Sequence, residues 1–453
     1  MKVDRYDLGV IDGILVSGSG RSRQNLYVRD GRVAAVTAAR LEAERVVDGG
    51  GLFVMPGMID AHVHFMDPGD PSREDFPTGS GAAAAQGVTT VIEHTHGWPV
   101  RTPKELRRKL EHLRNRSHVD FALGAHVWPD QLDQIQPLWW SGVDFFKVFT
   151  CATHGVPATI GAHLRDALLA IDHVDGLAVV HAEDDIMTAQ DEARLREMGR
   201  DDSSLLIEWR SLQAEELAVA TTVILARATR ARVVIAHASS PRIVELAVRL
   251  RGEGSVYVES CPQYLLLLEG ELLRDGPLRK FTPPARARST SELECMWALL
   301  SNGLIDYISS DHAPSTRAQK LAGGIWEAPF GLPGIDTTFP LMLDAALQGR
   351  ISLEHLVQLY SMGPARIHRL FPRKGHLGVG ADADMVIVDP TANRLIDDTT
   401  ILSMAGWSPY AGRNVRGGVV DVILRGQVVV DRGVFDDRRL GQFLPGPGYR
   451  ATR

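Results

Sequence analysis

The sequence predicts an α/β protein: a (β/α)8 TIM barrel carrying a small β-sandwich built from both ends of the chain. Three observations predict it. Eight short, apolar, β-rich runs lie between Met58 and Pro314, and each ends in polar residues. Helix-like segments separate these runs. The flanks instead carry hairpin signals, alternating runs joined by Asp-Gly and Arg-Gly turns.

Taken in order, residues 1–55 hold Leu26-Tyr27-Val28, the turn Asp30-Gly31, and Val33-Ala34-Ala35-Val36. The eight central runs end at His62-Val63-His64, Glu93-His94-Thr95, Ala125-His126-Val127 and Lys147-Val148-Phe149, then at His181-Ala182-Glu183, His237-Ala238-Ser239, Glu259-Ser260-Cys261 and Ser310-Asp311-His312. Leu177-Ala178-Val179-Val180 and Arg232-Val233-Val234-Ile235 read as strands buried on both faces, the mark of a parallel sheet. A helix is expected over 103–116, with Thr102 as N-cap and Pro103 in the first turn. Another is expected over 202–230, rich in Leu, Ala and Glu. Residues 376–453 return to hairpin patterning with Asp384-Met385-Val386-Ile387-Val388 and Val422-Ile423-Leu424-Arg425-Gly426. The expected division is one composite domain, 1–55 with 376–453, clasping a barrel domain over 56–375.

Composition narrows the function. The 453 residues carry 49 basic and 56 acidic side chains, a net charge of −7. Intermixed charge argues against a nucleic-acid binder that relies on a basic patch. No apolar run reaches the roughly 18 to 20 residues of a membrane span. Met1-Lys2-Val3-Asp4-Arg5 carries no apolar stretch of the signal-peptide kind. The three cysteines, Cys151, Cys261 and Cys295, are far apart and form no CxxC, so a disulfide framework is not expected and a cytoplasmic location is.

The candidate chemistry sits at strand ends. His62 and His64 occupy positions i and i+2 of one strand, so both rings can reach one metal ion, although two ordinary histidines would give the same spacing. His181 and His237 are single imidazoles at later strand ends, and each alone also fits a hydrogen-bonded core histidine. Asp311 alone also fits a turn or cap residue. Five metal-type ligands at strand ends of one barrel weigh toward a metal centre. Lys147 lies inside the apolar run Val143-Asp144-Phe145-Phe146-Lys147-Val148-Phe149. It reads either as a snorkelling lysine or as a buried amine of lowered pKa that takes up CO₂ as a carbamate, a two-oxygen ligand suited to two metal ions. His94-x-His96 faces the same pocket, as a substrate contact or as a rim pair bonded to loop backbone. His312 reads as support for Asp311 or as a solvent-facing turn residue, His126 as a packed histidine, and Cys151 as a small buried residue rather than a nucleophile. Trp139-Trp140 and Leu265-Leu266-Leu267-Leu268 read as core or subunit interface. HExxH and GxSxG do not occur, and Gly378-x-Gly380 precedes a strand, which is wrong for a dinucleotide fingerprint.

The stretch Pro56-Gly57-Met58-Ile59-Asp60-Ala61-His62-Val63-His64 resembles the opening signature of the amidohydrolase superfamily. More narrowly, the chain resembles its cyclic amidohydrolases: hydantoinase/dihydropyrimidinase, allantoinase and dihydroorotase. Supporting stretches are 78–90, Lys147-Val148-Phe149, Glu259-Ser260-Cys261-Pro262-Gln263-Tyr264-Leu265, Ser310-Asp311-His312-Ala313-Pro314 and Gly380-Ala381-Asp382-Ala383-Asp384. The resemblance runs from about Asp30 to Gly433. It implies two divalent metal ions, usually zinc. His62 and His64 would bind the more buried ion, His181 and His237 the more exposed one, and carboxylated Lys147, formed with CO₂ or bicarbonate, would bridge them. Asp311 would be both a ligand and the proton shuttle for hydrolysis of a ring amide.

The subfamily signals diverge. Dihydroorotases resembling this chain place an arginine where Met66 stands and an asparagine after the second strand, where this chain has Thr95-His96-Gly97-Trp98. Hydantoinases place a tyrosine where Ala152 stands; that role is open to His154 or Thr153. Ser408-Pro409-Tyr410-Ala411-Gly412-Arg413 resembles allantoinases, and Gly331-Leu332-Pro333-Gly334-Ile335-Asp336-Thr337 resembles dihydroorotases. An uncharged cyclic amide or imide is the expected substrate, contacted by His96, His154, Thr282, Gly331 and Gly334. A homodimer or homotetramer is the expected assembly. The rival readings are a dihydroorotase, a hydrolase-derived scaffold without activity, and a one-metal deaminase.

Overall fold

The computed structural model describes residues 5–252 and 254–451. Residues 1–4, where the stretch read for a leader begins, lie outside the described residues.

Eight strand positions alternate with helices along the middle of the chain. The first is Met58–Val63 and the second Val88–Glu93; the third comes in two pieces, Asp120–Leu123 and Ala125–His126. Phe146–Phe149, Leu177–His181, Arg232–Ile235, Val256–Ser260 and Tyr307–Ile308 follow. Neighbours pair in parallel around the ring. The ring closes where Val63 bridges His312 in parallel and the His64 N–H donates to the His312 carbonyl at 2.7 Å. Gly124 joins the two pieces of the third strand; a Cβ there would lie 2.6 Å from the Phe145 ring, so only glycine lets the chain pass. Ile59, Ile92, Phe145, Leu177, Val234 and Tyr307 belong to one buried cluster that plugs the barrel interior. Burying each such side chain contributes on the order of 2 kcal/mol.

The helices obey their caps. Pro103–Leu113 starts as expected, with the Thr102 hydroxyl accepting from the Glu105 N–H at 3.2 Å. The single helix expected over 202–230 is instead two, Leu205–Trp209 and Leu212–Thr229. The break has a cause: Arg210 leaves helical dihedrals and its guanidinium lies 3.2 Å from buried Glu183, while Ser211 caps the second helix.

Both flanks are β-rich. A four-stranded sheet runs Arg32–Thr37, Asn25–Arg29, Tyr6–Ile11, Ala43–Asp48. In a seven-stranded sheet, Met385–Leu395 pairs on one side with Asn414–Leu424 and on the other with Phe53–Pro56, so the two ends of the chain interleave. One buried cluster draws on both sheets, Val10 and Val28 from the first, Val54, Met385 and Ile423 from the second. This shared core supports the division we propose, with the flanks as one unit and the barrel as another. The last residues depart from it: Leu444 donates to the Phe121 carbonyl at 2.7 Å and Arg450 to that of Trp140 at 2.9 Å, placing this tail on the barrel. The backbone groups of Phe121, left open at the barrel's far end, are thereby paired. Among the described residues no helix is long and apolar enough to cross a membrane.

A buried charge cluster ties flank to barrel. Lys374 Nζ donates to Asp120 at 2.6 Å and to Asp384 at 2.5 Å, with Asp382 at 3.1 Å. Arg425 also bonds Asp120, from the second piece of the flank. Burial alone would lower the Lys374 ammonium, but the three carboxylates outweigh it and hold it charged. Replacing Lys374 by Met leaves buried carboxylates without their cation. The expected loss is roughly 3–5 kcal/mol, read as a lower urea midpoint. A midpoint equal to that of the parent protein would show that the cluster does not hold the two units together.

Candidate active site

The six side chains picked out at strand ends, His62, His64, Lys147, His181, His237 and Asp311, come together at one mouth of the barrel. All six line a single cavity. Their placement depends on local backbone. Leu177 and Val179 belong to the barrel plug, and two residues on His181 reaches the cavity in the same phase. Phe145 and Lys147 repeat that pattern. The first strand breaks phase: Ile59 and Ala61 belong to the plug, and a register shift between Asp60 and Val63 turns His62 and His64 to the cavity. His237 and Asp311 are aimed by left-handed backbone, with φ of 39° and 48°. Asp and His tolerate that region better than most residues.

Two subsites emerge. Asp311 Oδ1 lies 3.2 Å from His62 Nε2 and 3.5 Å from His64 Nε2. Lys147 Nζ lies 3.4 Å from His62 Nε2. On the other side, His181 Nδ1 faces His237 Nε2 at 2.9 Å. The rings of His62 and His237 stand 5.6 Å apart and join the halves.

The opposite nitrogens are held from behind. His62 Nδ1 donates to Glu259 at 2.9 Å, and the Ser309 hydroxyl donates to the same carboxylate. His64 Nδ1 donates to the His94 carbonyl at 3.3 Å. His181 Nε2 donates to Glu183 at 2.7 Å, and Glu183 also accepts from Thr282 at 2.7 Å and Arg210 at 3.2 Å. These bonds select which nitrogen carries the proton. They leave Nε2 of His62, Nε2 of His64 and Nδ1 of His181 as lone-pair donors toward the cavity.

Burial sets the charge states. It drives His62, His64 and His237 well below the usual imidazole range, with cationic Lys147 adding to the effect, so these rings are neutral at pH 7. Burial brings the Lys147 amine down to about 8, against the pull of Glu259 and Asp311, and lifts the Asp311 carboxyl to about 7. It also raises Glu259. Glu183 goes the other way: burial raises it, but Arg210 and the bonds from His181 and Thr282 outweigh that and hold it at about 2.

Neutral imidazoles with fixed tautomers, a carboxylate and an amine of lowered pKa form a donor set for divalent transition metals. The ligand atoms of His62, His64 and His94 lie within 4.8 Å of one another.

Of the expected substrate contacts, His96, His154, Thr282 and Gly331 line the cavity. His96 and His154 stack at 4.2 Å with 13° between their planes. Gly334 is a correction: it does not line the cavity, and its N–H donates to His312 Nδ1 at 3.1 Å. His312 is likewise buried, near Glu74, because that bond and the ring-closing bridge draw it inward; it is not a solvent-facing turn residue. His94 is no rim residue either. It is fully buried against His62 and His64, its ring nitrogens without hydrogen-bond partners. His126 is buried, as expected of a packed residue. Cys151 is buried too, and burial pushes its thiol up to about 12. Met66 is buried outside the cavity, accepting from the Thr95 hydroxyl at 3.2 Å, while Ala152 is exposed. Sequence reasoning missed Glu259 and Glu183 as partners of His62 and His181. Each is a lone acid at a strand end, the one signal that was available.

The description "Amidohydrolase family" fits residues 53–429. An L-hydantoinase from Paenarthrobacter aurescens is 33% identical, over 99% of this chain and 100% of its own. A dihydroorotase from Halobacterium salinarum is also 33% identical, over 95% of this chain and 99% of its own. A solved L-hydantoinase (dihydropyrimidinase) from Arthrobacter aurescens superposes with a TM-score of 0.92 at 33% identity, covering 97% of this chain and 100% of that one.

The depressed Glu183 carboxyl yields a pH signature. A folded pKa near 2 against an ordinary value of 4.5 gives stability that is complete above pH 5 and fades as pH falls. Between pH 6 and pH 3 the metal-free protein should lose about 2 kcal/mol more than its Glu183→Gln variant, by urea unfolding. Parallel pH profiles for the two proteins would refute the assignment.

Proposed function

The chain belongs to the amidohydrolase family and is a cyclic amidohydrolase, an enzyme that hydrolyses the C–N bond of a cyclic amide; we propose that it does so with two divalent ions, zinc by preference, on an uncharged cyclic amide or imide. The observation that carries this reading is the convergence of six side chains on one cavity. His62 and His64 through Nε2, with Asp311, would hold one ion. His181 through Nδ1 and His237 through Nε2 would hold the other. Zinc suits imidazole and carboxylate donors. Such a pair of ions supplies Lewis acidity and lowers the pKa of water.

Lys147 would serve both ions as a carbamate. Its neutral amine attacks CO₂, an N–C bond forms, and one N–H proton leaves to water. The product is an anion with two donor oxygens. Burial, by bringing the amine down to about 8, supports a useful neutral fraction near neutral pH. Asp311 would carry the proton. It takes one from the attacking water as the new C–O bond forms and returns it to the departing ring nitrogen as the C–N bond breaks, leaving a freed N–H group and a carboxylic acid that loses its remaining proton to water.

The lining supports an uncharged substrate. Phe149, Phe281 and Phe330 form apolar walls, and Lys147 is the only Lys or Arg among the lining residues. Met66, packed outside the cavity, offers no grip for a substrate carboxylate, which speaks against dihydroorotate. We assign the carbonyl-donor role to His154, which lines the cavity where Ala152 does not, with His96 stacked behind it; Thr282 and Gly331 would meet the ring's amide edge. A homodimer or homotetramer in the cytoplasm completes the proposal.

Metal analysis should find about two ions per chain in the parent protein and fewer than two in Lys147→Ala, with activity lost. Full activity and two ions in that variant would refute the bridge. Assaying hydantoin, dihydrouracil, allantoin, dihydroorotate, succinimide and phthalimide should give turnover only among the uncharged rings. Preference for dihydroorotate would overturn the substrate class. Glu259→Ala should weaken zinc affinity by roughly 10–100-fold, and Glu259→Gln, which can still accept from His62, by much less. Equal affinities in both variants would remove Glu259 from the site.

A further inference from the structure

A second cleft shares no lining residue with the catalytic cavity. Arg286 and Ser240 both line it. The Arg286 side chain is 5% exposed, and only Nη2 is engaged, with Glu215 at 3.3 Å. Its Nε and Nη1 have no hydrogen-bond partner, and neither has the Ser240 hydroxyl. A buried guanidinium with idle donors is costly unless something accepts from them.

Ser240 stands at the N-cap of the helix Pro241–Arg251, but its side chain makes no capping bond. The helix end itself offers little to a ligand, because Pro241 has no N–H and the Ile243 N–H already donates to the Ser240 carbonyl at 3.1 Å. The acids of the cleft are already occupied. Glu269 accepts from the Arg288 side chain at 3.1 Å, and Glu292 from the Arg288 N–H at 2.8 Å. What stays unused is donor capacity of one kind, a guanidinium edge and a hydroxyl.

We propose that this cleft binds an oxyanion, the phosphate or carboxylate group of a small molecule, through the Arg286 guanidinium and the Ser240 hydroxyl. The site is wired to the catalytic mouth. Ser239, two residues after His237, donates from its N–H and its hydroxyl to Glu215 at 3.2 and 2.5 Å, the same carboxylate that holds Arg286. Arg286 follows Thr282 by four residues. This inference does not rest on the metal reading.

Calorimetric titration of the holoenzyme with inorganic phosphate at fixed ionic strength tests it. One saturable site per chain is expected, weakened by roughly 10-fold or more in Arg286→Gln and by roughly 3-fold or more in Ser240→Ala. Displacement of phosphate by acetate would assign the site to carboxylates as well, and lack of displacement would assign it to phosphate groups. Phosphate held at the catalytic centre would bind both variants as it binds the parent protein, and that result overturns the proposal, as does the absence of saturable binding. Should Arg286→Gln fail to fold, Ser240→Ala and Arg286→Lys decide between the same outcomes.

Discussion

The constraint on which the rest depends is the burial of polar groups at the barrel mouth. Four imidazoles, a lysine and a carboxylate stand where water is scarce, and each must be neutral or paired. The protein meets this with a second layer of acceptors. Glu259 and the His94 carbonyl take the outer nitrogens of His62 and His64, and Glu183 takes that of His181. The acceptors are held in turn, Glu259 by Ser309 and Glu183 by Arg210 and Thr282. The break between the helices Leu205–Trp209 and Leu212–Thr229 belongs to this layer, because Arg210 leaves the helix to reach Glu183. A distortion in the outer ring thus serves a tautomer at the centre.

A similar logic joins the flanks to the barrel. Lys374 sits among Asp120, Asp382 and Asp384, so the far end of the third strand is tied to the strand that begins at Met385. That strand pairs with Phe53–Pro56, which leads directly into the strand bearing His62 and His64. The composite sheet therefore fixes the starting point of the catalytic strand, and the polar mouth is anchored from below as well as from behind.

The cavity walls account for the divergent subfamily signals in the sequence. The relatives include both a hydantoinase and a dihydroorotase at 33% identity, so overall similarity does not choose between them. The lining is more selective. It holds three phenylalanines and a stacked histidine pair, and no arginine. Ala152 and His154 are both exposed, but only His154 lines the cavity.

The sequence by itself determined the barrel, its eight strand ends and the residue types at them, because strand alternation and apolar runs are local properties of the chain. The two-residue spacing of His62 and His64 was legible for the same reason, as were the cap at Thr102 and the hairpins of the flanks. Tertiary structure alone decided which nitrogen of each histidine faces the cavity, since that depends on Glu259, Glu183 and the His94 carbonyl, acceptors on other strands. It also decided that His94 and His312 are buried and that Gly334 serves His312. The phase of the first strand belongs here as well. Simple alternation from Ile59 and Ala61 would turn His62 and His64 outward, and a register shift against the neighbouring strand turns them in. Such a shift is a property of two strands meeting, and one strand read alone does not contain it.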